Sequence, residues 1–361
     1  MTISGRALGS ENLNRPAMKT IKILFVADTH LGFDLPFRPR IKRRRRGPDF
    51  FANFERALEP AFKGEVDAVV HGGDLLFRSK VPARLVEMAF EPLERVANKG
   101  TPVYLVPGNH ERSAIPYRLL ITNKNIHIFD KPQTFVLRLR GFTLALAGFP
   151  YFRANVRGNF PEIIRKTGWS GVRAGARILC LHHCVEGAAV GPKNYTFRYN
   201  RDVVRIRDIP KAFTAVLSGH IHRFQVLTRD LAGKPAPVPV YYPGSIERTS
   251  FAERKEEKGF LIIEIGIGEK SQGIVKRWEF RNLPARPMIQ IEIQAAGLDK
   301  NELETRLKLA LESLPEDSVV DLKVNGMIRE SAMPSLSATS VRSLAPSTMN
   351  VSVTLADYRS R

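Results

Sequence analysis

The chain has 361 residues, 43% of them hydrophobic, and a formal charge of +20 from 56 Lys and Arg against 36 Asp and Glu. That is a globular composition, long enough to bury one large domain plus a smaller appendage. No run approaches the roughly 20 apolar residues of a membrane helix and no secretory signal opens the chain, so a cytoplasmic, non-membrane protein is expected. The charge excess favours a polyanionic partner, and the two cysteines, Cys180 and Cys184, read as packing inside a buried strand rather than as a zinc knot.

Residues 1–18 are rich in Gly, Ser and Asn, lack periodicity and predict a disordered extension. A strand follows near Ile21, the first of five apolar runs that each stop on a metal-ligand residue type: KILFVADTH, VDAVVHGGD, PVYLVPGNH, RILCLHH and AVLSGHIH. Short apolar runs bounded by Gly, Asp or Asn are strands buried on both faces, so each delivers its polar end to one edge of a sheet. Residues 49–64 and 81–100 have apolar positions at helical spacing and end on Gly64 and Gly100; two strand–helix–strand units therefore predict a parallel sheet. FVLRLRGFTLALAGFP, FQVLTRD, PVPVYYPGS, GFLIIEIG and GIVKRWEF alternate like antiparallel strands. Two sheets packed face to face, with helices outside, are the expectation. NLPARPM marks a boundary, dividing a domain over residues 19–283 from a small α+β unit over 284–361. In that unit MIQIEIQ, VVDLKVNG and MNVSVTLAD read as strands and residues 298–314 as an amphipathic helix with Asp299 as N-cap.

An Asp-x-His pair on an extended strand end sends Asp28 and His30 to the same side, and His220 and His222 in GHIH follow the same period. Asp74 follows two glycines and offers enough lone pairs to bridge two cations; Asn109 adds an amide oxygen. Each motif alone is weak, but six of eight histidines stand in these clusters. Two divalent ions balanced by Asp28, Asp74 and one hydroxide leave about one positive charge for a phosphodiester. Mixed imidazole and carboxylate ligation favours Mn, with Fe or Zn as alternatives. His110 is the candidate to contact the phosphoryl oxygen or protonate the leaving alkoxide.

These residues resemble the calcineurin-like metallophosphoesterases, through D-x-H, GD, GNH, a histidine after a strand and GHxH in that order. ADTHLG, GGDLLF, GNHE, LHH, GHIH, YPGSIERTSFAERKEEKG and the later RPM resemble the SbcD-type double-strand-break-repair nucleases within that superfamily. The resemblance implies a Mn-dependent nuclease with a four-layer α/β/β/α core of two mixed sheets and a DNA-facing capping domain. It implies one ion held by Asp28, His30, Asp74 and His222, the other by Asp74, Asn109, His182 and His220, and His110 as the catalytic histidine; His182 is preferred to His183 because it directly follows the strand. Phe77 stands where the family often has histidine. The family forms homodimers and docks an SMC-like ATPase through a helix beyond the cap, of which this sequence shows no clear equivalent.

RPRIKRRRR, ending in Arg43, Arg44, Arg45 and Arg46, leaves the first cluster and is a candidate DNA contact. Residues 193–207 interleave Arg198 and Arg201 with Tyr195, Phe197 and Tyr199, and Arg223 flanks GHIH. The leading reading is hydrolysis of DNA in repair or recombination, as an exonuclease, with structure-specific endonuclease activity as a further expectation. The same centre would serve a phosphatase or phosphodiesterase on small nucleotides or phosphoproteins, and a non-catalytic DNA-end-binding scaffold is a third reading.

Overall fold

A computed structural model describes residues 20–39, 43–112, 114–116, 121–268 and 272–355; the expected extension over 1–18 and residues 356–361 of the tail lie outside them. In chain order the first strands are β1 (Thr20–Val26), β2 (Ala68–His71), β3 (Val103–Leu105) and β4 (Ile126–Ile128), with helices α1 (Gly47–Phe62) and α2 (Ala83–Asn98) as crossovers. Then come β5 (Gln133–Leu139), β6 (Phe142–Gly148), helix α3 (Val156–Lys166) and β7 (Ala176–Leu181). Four two-residue strands follow: β8 (Cys184–Val185), β9 (Ala189–Val190), β10 (Tyr195–Thr196) and β11 (Val203–Val204). The domain ends with β12 (Ala215–Ser218), β13 (Gln225–Arg229), β14 (Pro235–Tyr242), β15 (Gly259–Ile267) and β16 (Gly273–Asn282).

Two six-stranded mixed sheets result, ordered β16-β15-β1-β2-β3-β4 and β13-β14-β12-β7-β6-β5. Side chains alternate, so β1 sends Leu24 and Val26 to one face and Ile23 and Phe25 to the other. The first pair packs on Phe50, Phe54 and Leu58 of α1 and Leu85, Phe90 and Leu93 of α2. The second pair meets Leu144, Leu146, Ile178 and Leu217 of the opposite sheet. Leu179, Leu181 and Val216 leave the far side of that sheet and bury Phe160, Ile163 and Ile164 of α3. The layers are therefore α/β/β/α, and each fully buried Leu, Ile or Phe contributes on the order of 1.5–3 kcal/mol.

The hairpins expected from alternation are present: β5 with β6, β13 with β14 and β15 with β16 are antiparallel. Between those hairpins β6, β7, β12 and β14 run parallel, so the second sheet is mixed, as the expected architecture requires. The last hairpin also leaves that sheet and joins β1 in the first. Alternation reports which side chains share a face; it carries no information on which neighbour the edge will pair with.

Beyond residue 287, β17 (Met288–Gln294), helix α4 (Lys300–Glu312), β18 (Val319–Asn325), helix α5 (Ala338–Leu344) and β19 (Asn350–Leu355) form a separate three-stranded parallel sheet with its own core, Leu303, Leu307, Leu322 and Val324. Asp299 caps α4 in a box with Glu302, each side chain accepting from the other's backbone N–H. Arg286 anchors this unit to the large domain through Asp49 (3.5 Å), Asn350 (2.7 Å) and the Asp317 and Thr348 carbonyls. Among the described residues no helix is long and apolar enough to cross a membrane.

Candidate metal centre

Because β1, β2 and β3 are parallel in one sheet and β7 and β12 in the other, their carboxyl ends open toward one another. Asp28 and His30 follow β1, Asp74 follows β2, Asn109 and His110 follow β3, His182 follows β7, and His220 and His222 follow β12. That edge is where open α/β sheets gather ligands. The extended-chain geometry expected for D-x-H is corrected by the backbone. β1 stops at Val26, and Asp28 (φ 51°), His30 (φ 44°), Asp74 (φ 51°) and His220 (φ 82°) are all left-handed. Non-glycine residues adopt that region at a cost of order 1–3 kcal/mol, tolerated where surrounding bonds fix the turn. Those bonds run from Asp28 N to Gly73 O (2.9 Å), His30 N to Asp74 O (3.0 Å) and His220 N to the Asp28 carboxylate (3.0 Å). Gly73 (φ 106°) is required as well by space: a Cβ there would lie 2.3 Å from His182 Nδ1.

Three groups have ligand atoms mutually within 4.8 Å: Asp28, His30 and His222; His30, Asp74 and His110; Asp74, His182 and His220. Asn109 Oδ1 joins the last, 2.8 Å from His220 Nδ1 and 3.1 Å from His182 Nε2. His30 Nε2 faces His222 Nε2 at 2.9 Å. His182 donates Nδ1–H to the Gly72 carbonyl (2.7 Å), which leaves Nε2 toward Asp74 Oδ2 at 3.3 Å. His183 turns away, accepting from Phe152 N and stacking on Tyr151. Of the doubled histidine, His182 is the one whose ring faces Asp74 and Asn109.

Asp28 and Asp74 are buried carboxylates without a Lys or Arg partner among the described residues. Burial pushes the Asp28 carboxyl up to about 6 against the pull of His182 and His222. Burial also disfavours the Asp74 carboxylate, but His182 and the neighbouring imidazoles hold it below its ordinary value. Burial lowers His30 well below the usual imidazole range and His220 to about 3, keeping both in the neutral, ligating form. Buried carboxylates facing imidazole nitrogens and an amide oxygen form a donor set that fits divalent cations.

His110 projects from the rim, a third exposed, with Nδ1–H donating to the Phe77 carbonyl at 2.5 Å and Nε2 3.8 Å from Asp74 Oδ2. Phe77, the departure from the family pattern, thus orients His110 through its main chain while its ring packs on Phe33. Sequence reasoning missed His71, Glu111 and Glu253. His71 accepts from Gly73 N and meets Thr29 Oγ1 at 3.1 Å. Glu111 accepts from Leu76 N (2.6 Å) and Gly108 N (2.8 Å), tying the GGD loop to the GNH loop. Glu253 meets His222 Nδ1 at 3.2 Å. The signal for Glu111 was its place directly after GNH; a buried carboxylate so placed accepts from backbone amides of two loops.

The basic run is corrected in part. Arg46 is buried, with its guanidinium over Phe33 and Phe50, 3.6 Å from Glu247 and donating to the Arg248 carbonyl. Arg44 pairs with Asp49 (3.0 Å) and Asp317 (2.6 Å), Arg45 with Asp34 (3.3 Å), and Arg43 is half-buried. Arg223 has three acceptors, Glu256, Asn194 and the Gly191 carbonyl. A string of arginines this close to Asp34 and Asp49 satisfies itself internally. Arg198 and Arg201 are exposed and have no ion pair among the described residues, and Tyr195 (64%) and Tyr199 (84%) lie open beside them.

A buried Asp–His–Asn cluster at the joined carboxyl ends of two mixed sheets defines a metallophosphoesterase, and the family profile of the calcineurin-like phosphoesterases matches residues 21–224. The chain belongs to that family and is a metal-dependent phosphoesterase that uses divalent metals. It is similar to the DNA double-strand break repair protein Mre11 of Methanopyrus kandleri, with 23% identity across 93% of this chain and 81% of that one. It is also similar to the Mre11 of Sulfurisphaera tokodaii, with 25% identity across 81% of this chain and 78% of that one. Among solved structures, a dimetal phosphatase from Danio rerio is similar over 69% of this chain and 93% of that one, at 12% identity and a TM-score of 0.43.

Proposed function

We propose that the protein is a manganese-dependent nuclease that hydrolyses DNA phosphodiesters in break repair or recombination, as an exonuclease with structure-specific endonuclease activity. The observation that carries the reading is the sharing of Asp74 between two ligand groups, one with His30 and His110 and one with His182 and His220, while Asp28, His30 and His222 complete the first side. On this reading Asp28, His30, Asp74 and His222 hold one cation and Asp74, Asn109, His182 and His220 the other. Divalent cations held by these residues would supply Lewis-acid activation of water at neutral pH and a positive field for the phosphoryl oxygens.

The chain's own groups do the rest. His110, fixed by Phe77 O with Nε2 open to the cleft, contacts the phosphoryl oxygen or delivers a proton to the leaving alkoxide. Arg198 and Arg201 draw the phosphate backbone in, and Tyr195 and Tyr199 offer stacking faces for frayed bases. Similarity to proteins named for double-strand break repair over most of the chain supports a long polyanion rather than a small phosphoester. A cytoplasmic location, a homodimer and an SMC-like ATPase partner belong to the same proposal.

Incubation with end-labelled duplex, single-stranded and hairpin DNA under Mn, Mg, Zn or chelator tests it. The expected result is Mn-dependent shortening of DNA that chelator abolishes and that weakens steeply between low and moderate salt. Turnover of small phosphodiesters alone, with intact DNA at every metal and salt, would overturn the DNA assignment.

A further inference from the structure

Behind His222 lies a buried charge chain that neither the phosphoesterase chemistry nor DNA contact calls for. Lys258 is fully buried along its side chain, and its ammonium donates to three acceptors: Glu253 Oε2 (2.6 Å), Glu256 Oε2 (3.2 Å) and the His222 carbonyl (2.9 Å). An ammonium has three protons, so Lys258 is saturated. Glu253 is saturated too. Its Oε1 accepts from Thr249 Oγ1 (2.6 Å) and Ser250 Oγ (3.3 Å) and stands 3.2 Å from His222 Nδ1. Glu256 extends the chain to Arg223 at 3.1 Å.

A carboxylate can only accept, so His222 carries a proton on Nδ1, and its Nε2 faces Asp28 and His30. Packing alone does not demand this arrangement. Burying a lysine and two glutamates is costly unless each proton and lone pair is met, and here they are met around one imidazole. The 3₁₀ turn Phe251–Glu253 and strand β15 bring the two residues together from either side of the loop.

We propose that Glu253, itself held by Lys258, is a positioning residue that fixes the tautomer and ring orientation of His222 and thereby sets the affinity of the cation site formed by Asp28, His30 and His222. The inference rests on the metal-centre reading above. Outer carboxylates that hold a ligating imidazole typically govern metal affinity by about 10- to 100-fold.

The test is Mn²⁺ titration calorimetry on the full chain with Glu253→Gln and Glu253→Ala, alongside ¹⁵N–¹H spectra of the histidine rings in the metal-free protein. Glu253→Gln keeps an acceptor near Nδ1 and guards against a folding failure in the alanine variant. The expected result is two Mn²⁺ sites in the wild type, one weakened by about 10-fold in Glu253→Gln and more in Glu253→Ala, the other unchanged. His222 should show Nδ1–H in the wild type and shift toward Nε2–H in Glu253→Ala. Wild-type Mn²⁺ affinity at both sites in the two variants, or an unchanged Nδ1–H tautomer in the folded alanine variant, would overturn the inference. Failure of the wild type to bind Mn²⁺ at all would sink the metal-centre reading itself, a separate outcome.

Discussion

Gly108 offers the sharpest geometric test of the centre. Its φ is unremarkable, so backbone conformation does not demand glycine; space does. A Cβ at this position would lie 2.2 Å from Asp74 Oδ1 and 2.4 Å from the Asp74 backbone nitrogen. A carbon in ordinary contact sits roughly 3.5 Å away, so Gly108→Ala must separate the two loops by about 1 Å. Neither side gives easily: Gly108 N is held by Glu111 (2.8 Å), and Asp74 Oδ1 accepts from His110 N (2.8 Å). Overpacking of this kind costs about 1–3 kcal/mol of stability. A displacement of about 1 Å at reacting groups costs about 100-fold in rate, equivalent to roughly 2.7 kcal/mol of barrier. The assay is kcat on an activated phosphodiester under saturating Mn, with metal stoichiometry and thermal melting measured on the same samples. Gly171→Ala is the control, since nothing lies within 4 Å of a Cβ there; it should change stability by less than about 0.5 kcal/mol. Wild-type turnover and two bound ions in Gly108→Ala would refute the claim that this contact sets the spacing between Asp74 and Asn109.

His110→Gln should lower turnover by about 10²- to 10⁴-fold while leaving metal uptake intact, and unchanged turnover would remove His110 from the chemistry. Asp74→Ala should lose both ions, because Asp74 belongs to two ligand groups; elemental analysis retaining one equivalent would argue against a shared ligand. Arg286→Ala removes contacts to Asp49, Asn350 and the Thr348 carbonyl, and should speed proteolysis between residues 283 and 287 while sparing hydrolysis of small phosphodiesters. Identical digestion rates would show that these contacts do not hold the cap. Arg201→Ala should weaken DNA binding at low salt and flatten its salt dependence by roughly one phosphate contact, whereas Arg46→Ala should act on stability instead, because its guanidinium is already buried against Phe33, Phe50 and Glu247.

Much of the centre was legible from residue order alone. Apolar runs that end on Asp28, Asp74, Asn109, His182 and His220 had to be strands buried on both faces, and parallel strands release their carboxyl ends at one edge, so convergence followed from periodicity. The Asp299 cap and the crossover helices were equally local, since a capping box and a 3.6-residue apolar stripe are written within a dozen positions. What the sequence could not decide depended on contacts between distant segments. The left-handed turn that aims Asp28 and His30 is imposed by bonds to Gly73 and Asp74, more than 40 residues away. The different orientations of the His182 and His183 rings depend on Gly72 O on one side and the Tyr151 ring on the other. Arg46 reads as a candidate DNA contact until Glu247 and two aromatic rings close over it, and nothing in the local sequence joins Glu253 and Lys258 to His222. Residue type and spacing fix what a group can do; only the fold fixes which partner it finds, because burial turns an exposed charge into one that must be matched.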